Sequence, residues 1–591
     1  VKIVPSRYAT GYLDWLGEKR DWPISRQLWW GHQIPIWYAP GVSEAELKRA
    51  FAGRDDVVWQ RDADHDRWLI GALEEDLAED AIPGHKLTRD PDVLDTWFSS
   101  ALWPHSTLGW PDKTPELAYY YPTSALVTSR DIITLWVARM VLTGLHNVGE
   151  VPFREVFIHP KILDGYGETM SKSKGNGVDP IDIMEKFGAD ALRFGLAYLT
   201  TETQDVRMPV EFECPHCGAL VEQTKKNRVL PRVPCKQCGQ EFATQWAEKA
   251  ADVALPRGAV VSDRFELARN FCNKLWNAAR FVLMNLEGYT PGAIDDAELV
   301  TEDRWILSRL STVTEGVTAA LEAYRFADAM RLLYEFAWDE FCSFYLEMVK
   351  GRLSDPASRD TAQRVLAHTL DTLLRLLHPV IPFITEEIWQ LLNAAAPERG
   401  LPPSGTSAES VMIASWPVPD RARQDAESEA RFARFQEALA GLREIRSRQN
   451  LPPRTEIQFS LRCDEATATL LRPMATYFES MAKARATDWG PKVEPPNTSA
   501  NTVLKIGELF VDLAGLIDVE AEITRNGKER ERLVVAITGK EKKLANASFV
   551  ERAPADVVEG ERRSLSELRD RLTATEATLA ALEGQRPKGK K

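Results

Sequence analysis

Apolar residues in the first 200 positions form short runs that alternate with segments of helical spacing. The runs at 125–128 and 156–158 predict buried strands, and the run at 92–100 predicts a further strand. Apolar residues at 132, 135, 136 and 140 recur at helical spacing, which predicts a helix over 132–145. Five tryptophans within residues 12–38 are expected to be mainly core residues. The succession strand, helix, strand, loop, helix predicts an α/β unit with a parallel, doubly wound sheet, whose ligands bind beyond the carboxyl ends of strands.

A second pattern begins near residue 262, where long amphipathic segments follow one another. Helices are predicted over 265–286, 303–324, 326–353, 358–377 and 421–447. We interpret residues 257–300 as a helical connector and residues 301–460 as an all-α helical bundle. The chain therefore combines an α/β part with an all-α part.

The end of the chain has the spacing of a coiled coil. The residues that would form the seam of the coil follow one another at alternating steps of three and four: Leu565, Leu568, Leu572, Thr575, Leu579 and Leu582. A less regular series could form an antiparallel partner, with Pro554 in the connection: Leu516, Ile523, Val534, Ile537 and Leu544. We predict a coiled-coil hairpin over 513–591, preceded by a small linker module over 461–512. A dimerising coil is the alternative, but the short connection favours pairing within one chain.

The composition is that of a soluble globular protein of about four domains, with 591 residues, 44% hydrophobic and 27% charged. No apolar run reaches the length of a membrane span, so we expect no membrane contact. The cysteine usage fits a reducing cytoplasm, and we expect a cytoplasmic, monomeric protein. The net charge of −14 argues against non-specific coating of nucleic acid. A local basic face remains possible, because residues 519–591 contain 16 basic and 13 acidic residues. The chain begins with Val1 rather than Met, and we expect it to belong to a longer protein.

Four of the seven cysteines form two pairs with the spacing of a metal site. Cys214 and Cys217 precede Cys235 and Cys238, with 17 residues between the pairs, and a glycine follows each pair. Four thiolates at this spacing can surround one tetrahedral Zn²⁺ and leave no ligand position open. We therefore predict a structural zinc ribbon over 210–256. Redox-active or free cysteines are the alternative.

Residues 169–176, called the lysine loop below, read TMSKSKGN. The two lysines supply charge, the hydroxyls can donate hydrogen bonds, and Gly175 lets the backbone approach a ligand closely. This composition suits a phosphate chain. A solvated basic turn is the alternative for such a short string taken alone.

The lysine loop resembles the KMSKS signature of the class I aminoacyl-tRNA synthetases, with Thr169 in place of the first lysine. The string DWPISRQLWWGHQIP at 21–35 resembles a segment of the enzymes for valine, isoleucine and leucine, and its WWGH part is similar to the valine branch. On these strings the chain is identified as a member of the valyl-tRNA synthetase family. The family's HIGH motif and editing domain have no counterpart here, so we expect the C-terminal two-thirds of such an enzyme.

The resemblance implies a domain plan and an activity. Residues 1–209 correspond to the C-terminal part of a Rossmann-like catalytic domain with a small insert at 41–86. Residues 301–460 correspond to the anticodon-binding bundle and 513–591 to a tRNA-binding arm. The implied reaction is ATP-dependent activation of valine and its transfer to tRNA(Val), with ATP–Mg²⁺ as substrate.

The resemblance also assigns roles by motif position. The implied catalytic residues are Lys172, Ser171 and Ser173, and the implied ATP-binding residues are Lys172, Lys174 and Asp131. The implied walls of the amino-acid pocket are Trp97, Asp131, Ile132 and Trp136. Ser129 stands where the family usually has glycine.

Two other interpretations remain. The chain could be a tRNA-binding fragment or subunit that activates no amino acid until the missing half is supplied. The lysine loop favours the enzyme, whereas the absent HIGH motif favours an isolated chain that is inactive. An isoleucine or leucine ligase is the nearer alternative, and the WWGH string argues against both.

Overall fold

The computed structural model describes residues 1–18, 21–73, 76–202, 204–400, 405–496, 498–516, 519–546 and 555–583. They form two compact units. The first unit contains residues 1–188, 194–266 and 319–329, and the second contains 189–193, 267–318 and 330–591. None of the described helices combines the length and the apolar character that crossing a membrane requires.

The strands are β1 (Lys2–Val4), β2 (Ser25–Arg26), β3 (Ile36–Pro40), β4 (Val57–Asp62), β5 (Arg67–Ala72), β6 (Thr88–Arg89), β7 (Val93–Leu94), β8 (Thr123–Ser129), β9 (Phe153–His159), β10 (Ile162–Asp164), β11 (Val206–Met208), β12 (Glu211–Glu213), β13 (Leu220–Glu222), β14 (Arg232–Pro234), β15 (Glu241–Ala243), β16 (Ala259–Val261), β17 (Glu398–Arg399), β18 (Gly405–Thr406), β19 (Ile457–Arg462), β20 (Ala484–Trp489), β21 (Ser499–Leu504) and β22 (Gly507–Asp512). The helices are α1 (Arg7–Gly17), α2 (Glu44–Ala50), α3 (Thr96–Ser106), α4 (Pro115–Tyr120), α5 (Ala138–Asn147), α6 (Pro180–Phe187), α7 (Ala189–Leu199), α8 (Ala250–Val253), α9 (Glu266–Asn285), α10 (Thr301–Glu322), α11 (Phe326–Tyr334), α12 (Leu346–Met348), α13 (Lys350–Leu353), α14 (Arg359–Leu377), α15 (Pro382–Ala395), α16 (Ala426–Arg448), α17 (Glu465–Leu471), α18 (Ala475–Ala482), α19 (Val519–Ala545) and α20 (Ala555–Glu583).

A parallel sheet of order β1-β9-β8 is the centre of the first unit. The chain passes from β8 to β9 through the 3₁₀ turn Arg130–Ile132, the π-helix Ile133–Val137 and α5. The predicted helix over 132–145 is thus confirmed, although its first turns are irregular and it ends at Asn147. Because β8 and β9 are parallel, their carboxyl ends lie at the same edge of the sheet.

The strand predicted over 92–100 is wrong beyond its first residues. Only β7 is extended, and α3 begins at Thr96. The carbonyls of Ser100 and Ala101 in α3 accept hydrogen bonds from Trp136 Nε1 and Thr143 Oγ1, at 3.1 and 2.9 Å. Packing against the following helix therefore overrides the strand preference of the aromatic and β-branched side chains in this segment.

A small antiparallel sheet of order β4-β5-β3-β6, together with α2, covers the region of the predicted insert. It runs from Ile36 to Arg89 and buries a core that includes Trp37, Leu47 and Ile70. Trp37 confirms the expectation of buried tryptophans. Trp29 and Trp30, by contrast, are 100% and 88% exposed, so the expectation is wrong for them.

The second unit contains most of the predicted helices, which pack through aromatic side chains and half-buried ion pairs. Trp305 of α10 stacks on Phe432 of α16 at 4.3 Å between ring centroids. Arg309 joins the same two helices through Glu429 at 2.9 Å. The helix predicted over 326–353 contains the π-helix Glu335–Tyr345. Beyond α16, a four-stranded sheet of order β20-β19-β22-β21 carries α17 and α18.

Helices α19 and α20 run antiparallel at the end of the described chain. Lys540 and Lys543 pair with Glu561 at 2.7 and 2.8 Å, and Glu529 pairs with Arg571 at 3.2 Å. The apolar contact differs from the predicted series by one position, because Leu533 is buried whereas Val534 is 44% exposed. Pro554 and the side chain of Leu582 lie outside the described residues.

Candidate functional site

Polar side chains gather where β8 and β9 end. Asp131 follows β8, and its carboxylate accepts a hydrogen bond from Nζ of Lys161, which follows β9. Arg130 pairs with both carboxylate oxygens of Asp205 at 2.8 and 2.7 Å, and Asp205 also accepts the Lys161 amide at 3.0 Å. The Arg130 guanidinium holds the pKa of Asp205 below its usual range. Asp131, with 58% of its side chain exposed, thus lies at the edge where parallel sheets bind ligands.

Two hydroxyls at the end of β8 have no hydrogen-bond partner within the described ranges. They are Thr128 Oγ1 and Ser129 Oγ, and both atoms are buried. Buried polar atoms are usually satisfied, so these two hydroxyls are exceptions among the described residues. Ser129 is the position at which the resemblance implies a glycine.

The residues predicted to form the amino-acid pocket lie on two packed helical segments. Asp131, Ile132 and Trp136 belong to the irregular turns before α5, and Trp97 lies in the first turn of α3. Ile132, Trp136 and Trp97 are half-buried. The hydrogen bond from Trp136 to Ser100 fixes the indole against α3. A π-helical turn is frequent at functional sites, because it shifts side chains out of regular helical phase.

A buried carboxylate that the sequence did not reveal lies at the start of α3. Asp95 is 6% exposed and accepts hydrogen bonds from Nε1 of Trp22 at 2.8 Å and from Nη1 of Arg139 at 3.2 Å. Arg26 contacts the same oxygen at 3.1 Å. The guanidinium of Arg139 also lies over the Trp22 ring, 3.8 Å from its centroid. This cluster, called the Asp95 cluster below, fixes the start of the helix that carries Trp97.

The lysine loop is a tight turn closed by its own side chains. Its centre is the 3₁₀ turn Lys172–Lys174. Ser171 Oγ lies 3.2 Å from Ser173 Oγ and accepts the amide of Lys174 at 3.3 Å. Ser173 and Lys174 are exposed, and the side chain of Lys172 lies outside the described part of the chain.

Asn176, the last residue of the lysine loop, is fully buried and holds the loop closed. Its Oδ1 accepts the amide of Ser171 at 2.9 Å, and its Nδ2 donates to Asp164 at 2.8 Å. Asp164, at the end of β10, also accepts the amides of Tyr166 and Glu168 at 3.0 and 2.8 Å. Burial opposes ionisation of this carboxyl, but these hydrogen bonds hold its pKa below the usual value. The lysine loop is therefore held by a buried amide, Asn176, which is itself held by the buried, charged carboxylate of Asp164.

The four predicted metal ligands meet in one cluster. Their sulfurs all lie within 4.8 Å of one another, with Cys214–Cys238 at 3.8 Å and Cys217–Cys235 at 3.7 Å. Zn–S bonds of about 2.3 Å in a tetrahedron give sulfur separations of about 3.8 Å. The two pairs also share a backbone pattern, in which the amides of Gly218 and Gly239 donate to the carbonyl oxygen of the first cysteine of their pair at 2.8 and 2.9 Å. The donor set thus fits zinc.

Backbone amides also point to one of these sulfurs. Hydrogen bonds from the amides of Cys238 and Gln237 hold the pKa of the Cys235 thiol below its usual range. His216 lies beside the cluster, but its Nε2 is 3.1 Å from the carbonyl oxygen of Glu241, and it is not among the four grouped ligands.

Comparison of the sequence with known proteins identifies the family to which it is similar. Residues 1–209 match the family model of class I tRNA synthetases for isoleucine, leucine, methionine and valine. Residues 303–461 match the anticodon-binding domain of tRNA ligases, and residues 518–583 match the tRNA-binding arm of valyl-tRNA synthetase. The chain is 55% identical to a valine–tRNA ligase of Rhodopirellula baltica over 99% of its own length and 58% of that protein. The chain belongs to the valyl-tRNA synthetases of class I.

More distant valyl-tRNA synthetases give the same picture. The chain is 39% identical to the valine–tRNA ligase of Geobacter sulfurreducens, over 98% of this chain and 56% of that protein. It is 40% identical to that of Carboxydothermus hydrogenoformans, over 96% and 55%. The resemblance inferred from the lysine loop and the WWGH string is confirmed, and the chain spans somewhat more than half the length of these synthetases.

Several residues of the site could not be identified as such from the sequence. Lys161 and Asp205 were missed, although Lys161 lies three residues after the strand predicted over 156–158, which is a recognisable signal. Asp164 was missed because its partner Asn176 is 12 residues away and both are buried. The predicted residues themselves fall into three groups: one at the end of β8 and in the first turn of α3, one in the lysine loop, and the cysteine cluster. Lys161 lies between the first two groups along the chain, because it bonds to Asp131 and leads into β10.

Proposed function

We propose that the protein to which this chain belongs is an ATP-dependent valine–tRNA ligase. Valine's carboxylate attacks the α-phosphate of ATP, and this forms valyl-adenylate and releases pyrophosphate. The adenylate then acylates the terminal ribose of tRNA(Val), and AMP leaves. The single observation that carries the proposal is the 55% identity to a valine–tRNA ligase along 99% of the chain.

The geometry supports a positioning role for the lysine loop. Lys172 is assigned to the charge that develops on the β- and γ-phosphates of ATP–Mg²⁺, and Ser171, Ser173 and Lys174 complete the contact. Buried Asn176 holds the Ser171 amide at 2.9 Å, and the side chains of Ser173 and Lys174 follow in the same turn and are exposed. Such preorganised donors stabilise a phosphoryl-type transition state without reorganising during the reaction.

The end of β8 is proposed to hold the adenylate and the amino acid. Asp131, whose side chain is 58% exposed, would bind the ribose and the amino group. Trp97, Ile132 and Trp136 would form a pocket for a small branched side chain. An apolar pocket of this kind rejects threonine by only about a hundredfold, which is why such enzymes use a separate editing site.

The cysteine cluster is proposed to hold one structural Zn²⁺ through Cys214, Cys217, Cys235 and Cys238. The sulfur separations support this assignment. A closed four-thiolate site leaves no position for water and supplies folding energy rather than catalysis. On this basis residues 210–256 form a zinc ribbon inserted after the catalytic residues 1–209.

The remaining parts are proposed to bind tRNA(Val). The bundle over 301–460 would contact the anticodon. Helices α19 and α20 would form a coiled-coil arm within 513–591, while 257–300 and 461–512 connect these parts. The arm presents exposed basic residues on its surface, including Lys528, Arg530 and Arg532 of α19. Phosphate contacts from such a surface would make the binding salt-dependent.

Valine-dependent ATP–pyrophosphate exchange tests the proposal. In the assay the chain is combined with the segment of the R. baltica ligase that the chain does not cover, and the product is called the combined protein below. Isoleucine and leucine are the control substrates. Lys172→Ala should lower exchange about a hundredfold, because it removes one positive charge from beside the phosphates. Lys113→Ala changes an exposed lysine in the same unit and should leave exchange unchanged. Absence of valine-dependent exchange in the combined protein would refute the function.

A further inference from the structure

The cysteine-containing insertion over 210–256, called the cysteine module below, contacts the support of the lysine loop. Arg228 lies in this module with only 10% of its side chain exposed. Its Nη1 is 3.0 Å from Asp164, and its Nη2 is 3.0 Å from Glu168. Asp164 is the carboxylate that holds Asn176, so one guanidinium reaches the residue on which the loop stands.

A second cation of the module strengthens the same contact. Nζ of Lys225 is 2.6 Å from Glu168 and lies over the ring of Tyr166, 5.2 Å from its centroid. Lys225 and then Arg228 hold the pKa of Glu168 below its usual value. The turn between β10 and the lysine loop is therefore held by two positive charges from the module.

The module also contacts the loop directly, at Gly175. This glycine has a φ of +62°, a conformation that side-chain-bearing residues rarely adopt. A Cβ on it would lie 2.5 Å from Nε1 of Trp246 and 2.9 Å from the carbonyl oxygen of Arg228. Both atoms belong to the module, so the loop backbone packs on the module without space for another atom.

The position of Arg228 within the module links these contacts to the cysteine cluster. Arg228 lies in the connection between Cys217 and Cys235, and these two sulfurs are 3.7 Å apart. The segment before it pairs through β12 and β13, and the segment after it pairs through β14 and β15. Closure of the cysteine cluster therefore fixes both ends of the segment that carries Arg228.

We propose that the cysteine module positions the lysine loop, with Arg228 as the positioning residue. The catalytic consequence of this inference rests on the proposed function, in which the loop must hold its lysines in one place to contact the phosphates of ATP. Arg228 acts through Asp164 and Asn176, and Trp246 acts through Gly175. The module thus serves the activation step rather than only the stability of its own fold.

Hydrogen exchange of residues 169–176 tests the inference on the 591-residue chain, independently of catalysis. The Ser171 amide, which donates to Asn176 at 2.9 Å, reports on the closed loop. Arg228→Ala should make this segment exchange about tenfold faster, and Arg228→Lys should restore part of the protection. Gly175→Ala should have the same effect as Arg228→Ala, and it changes no residue of the module. Arg232→Ala is the matched control, because Arg232 pairs with Glu241 and Asp252 inside the module.

The kinetic measurement separates positioning from simple destabilisation. In the combined protein, Arg228→Ala should lower kcat of ATP–pyrophosphate exchange on the order of a hundredfold and leave the KM for valine unchanged. Unchanged hydrogen exchange in both Arg228→Ala and Gly175→Ala would overturn the inference. Faster exchange in Arg232→Ala to the same extent would also overturn it. If the loop opens as expected while the unsubstituted protein activates no valine, the positioning role stands and the proposed function fails.

Discussion

Replacement of one cluster cysteine gives the sharpest test of the zinc assignment. The sulfur separations of 3.7 and 3.8 Å match the edge of a tetrahedron with metal–sulfur bonds of about 2.3 Å. X-ray absorption of the purified chain should therefore show four sulfur neighbours at about 2.3 Å and one zinc per chain. Cys217 is the best position to change, because it is exposed and its replacement disturbs little packing.

The size of the effect follows from the share of one thiolate in the binding energy. Structural zinc binds with roughly 10–16 kcal/mol, so each of four thiolates contributes roughly 2.5–4 kcal/mol. Cys217→Ser should thus weaken zinc by about two to three orders of magnitude, measured by competition with a chelating dye. Cys272→Ser is the control, because Cys272 is half-buried outside the cluster. Equal zinc affinity in Cys217→Ser and the unchanged chain would refute the four-thiolate site.

Two further predictions concern the second unit. The triple variant Lys528→Ala, Arg530→Ala, Arg532→Ala should reduce the salt dependence of tRNA(Val) binding. The slope of log affinity against log salt should become less steep by about 0.7–0.9 for each phosphate that the arm no longer neutralises, whereas the control Arg49→Ala in α2 should leave the slope unchanged. An unchanged slope in the triple variant would exclude this face of α19 from tRNA binding. Burial lowers the pKa of His368 to about 4, so its ring signal, assigned by its disappearance in His368→Gln, should not titrate between pH 7.5 and 5.5. Because the unfolded-state pKa of about 6.5 is higher, the stability that the neutral ring contributes is present above that pH and is lost as the pH falls towards 4. A signal with a midpoint near 6.5 would contradict a neutral imidazole at this half-buried residue.

Local patterns predicted the parts of the site that lie close together in the sequence. The cysteine pairs, the lysine loop and the run before Asp131 each occupy about ten residues or fewer, and the structure places them as turns and strand ends. The helices of the second unit were also predicted to within a few residues, because their apolar spacing is long and regular.

Contacts over long sequence distances could not be predicted in this way. Arg228 and Asp164 are separated by 64 residues, and nothing near either residue indicates the other. The segment 92–100 looks like a strand because its aromatic and β-branched residues favour one, but packing against the next helix decides its conformation. In α19 the buried position is Leu533 rather than Val534, because two adjacent apolar residues leave the register of the helix face open.

The Asp95 cluster has a consequence for anyone who recombines this chain with its relatives. Trp22 and Arg26 lie in the first tryptophan-rich string, Asp95 lies 69 residues after Arg26, and Arg139 follows the π-helix, yet the other three all contact the Asp95 carboxylate. A chimera whose crossover falls between these strings takes the set from two parents, and a parent that lacks one of the charged residues leaves its partner without a counterion. Crossover points placed before residue 22 or after residue 139 keep the ionic set from a single parent, and every crossover between them tests whether two parents share it.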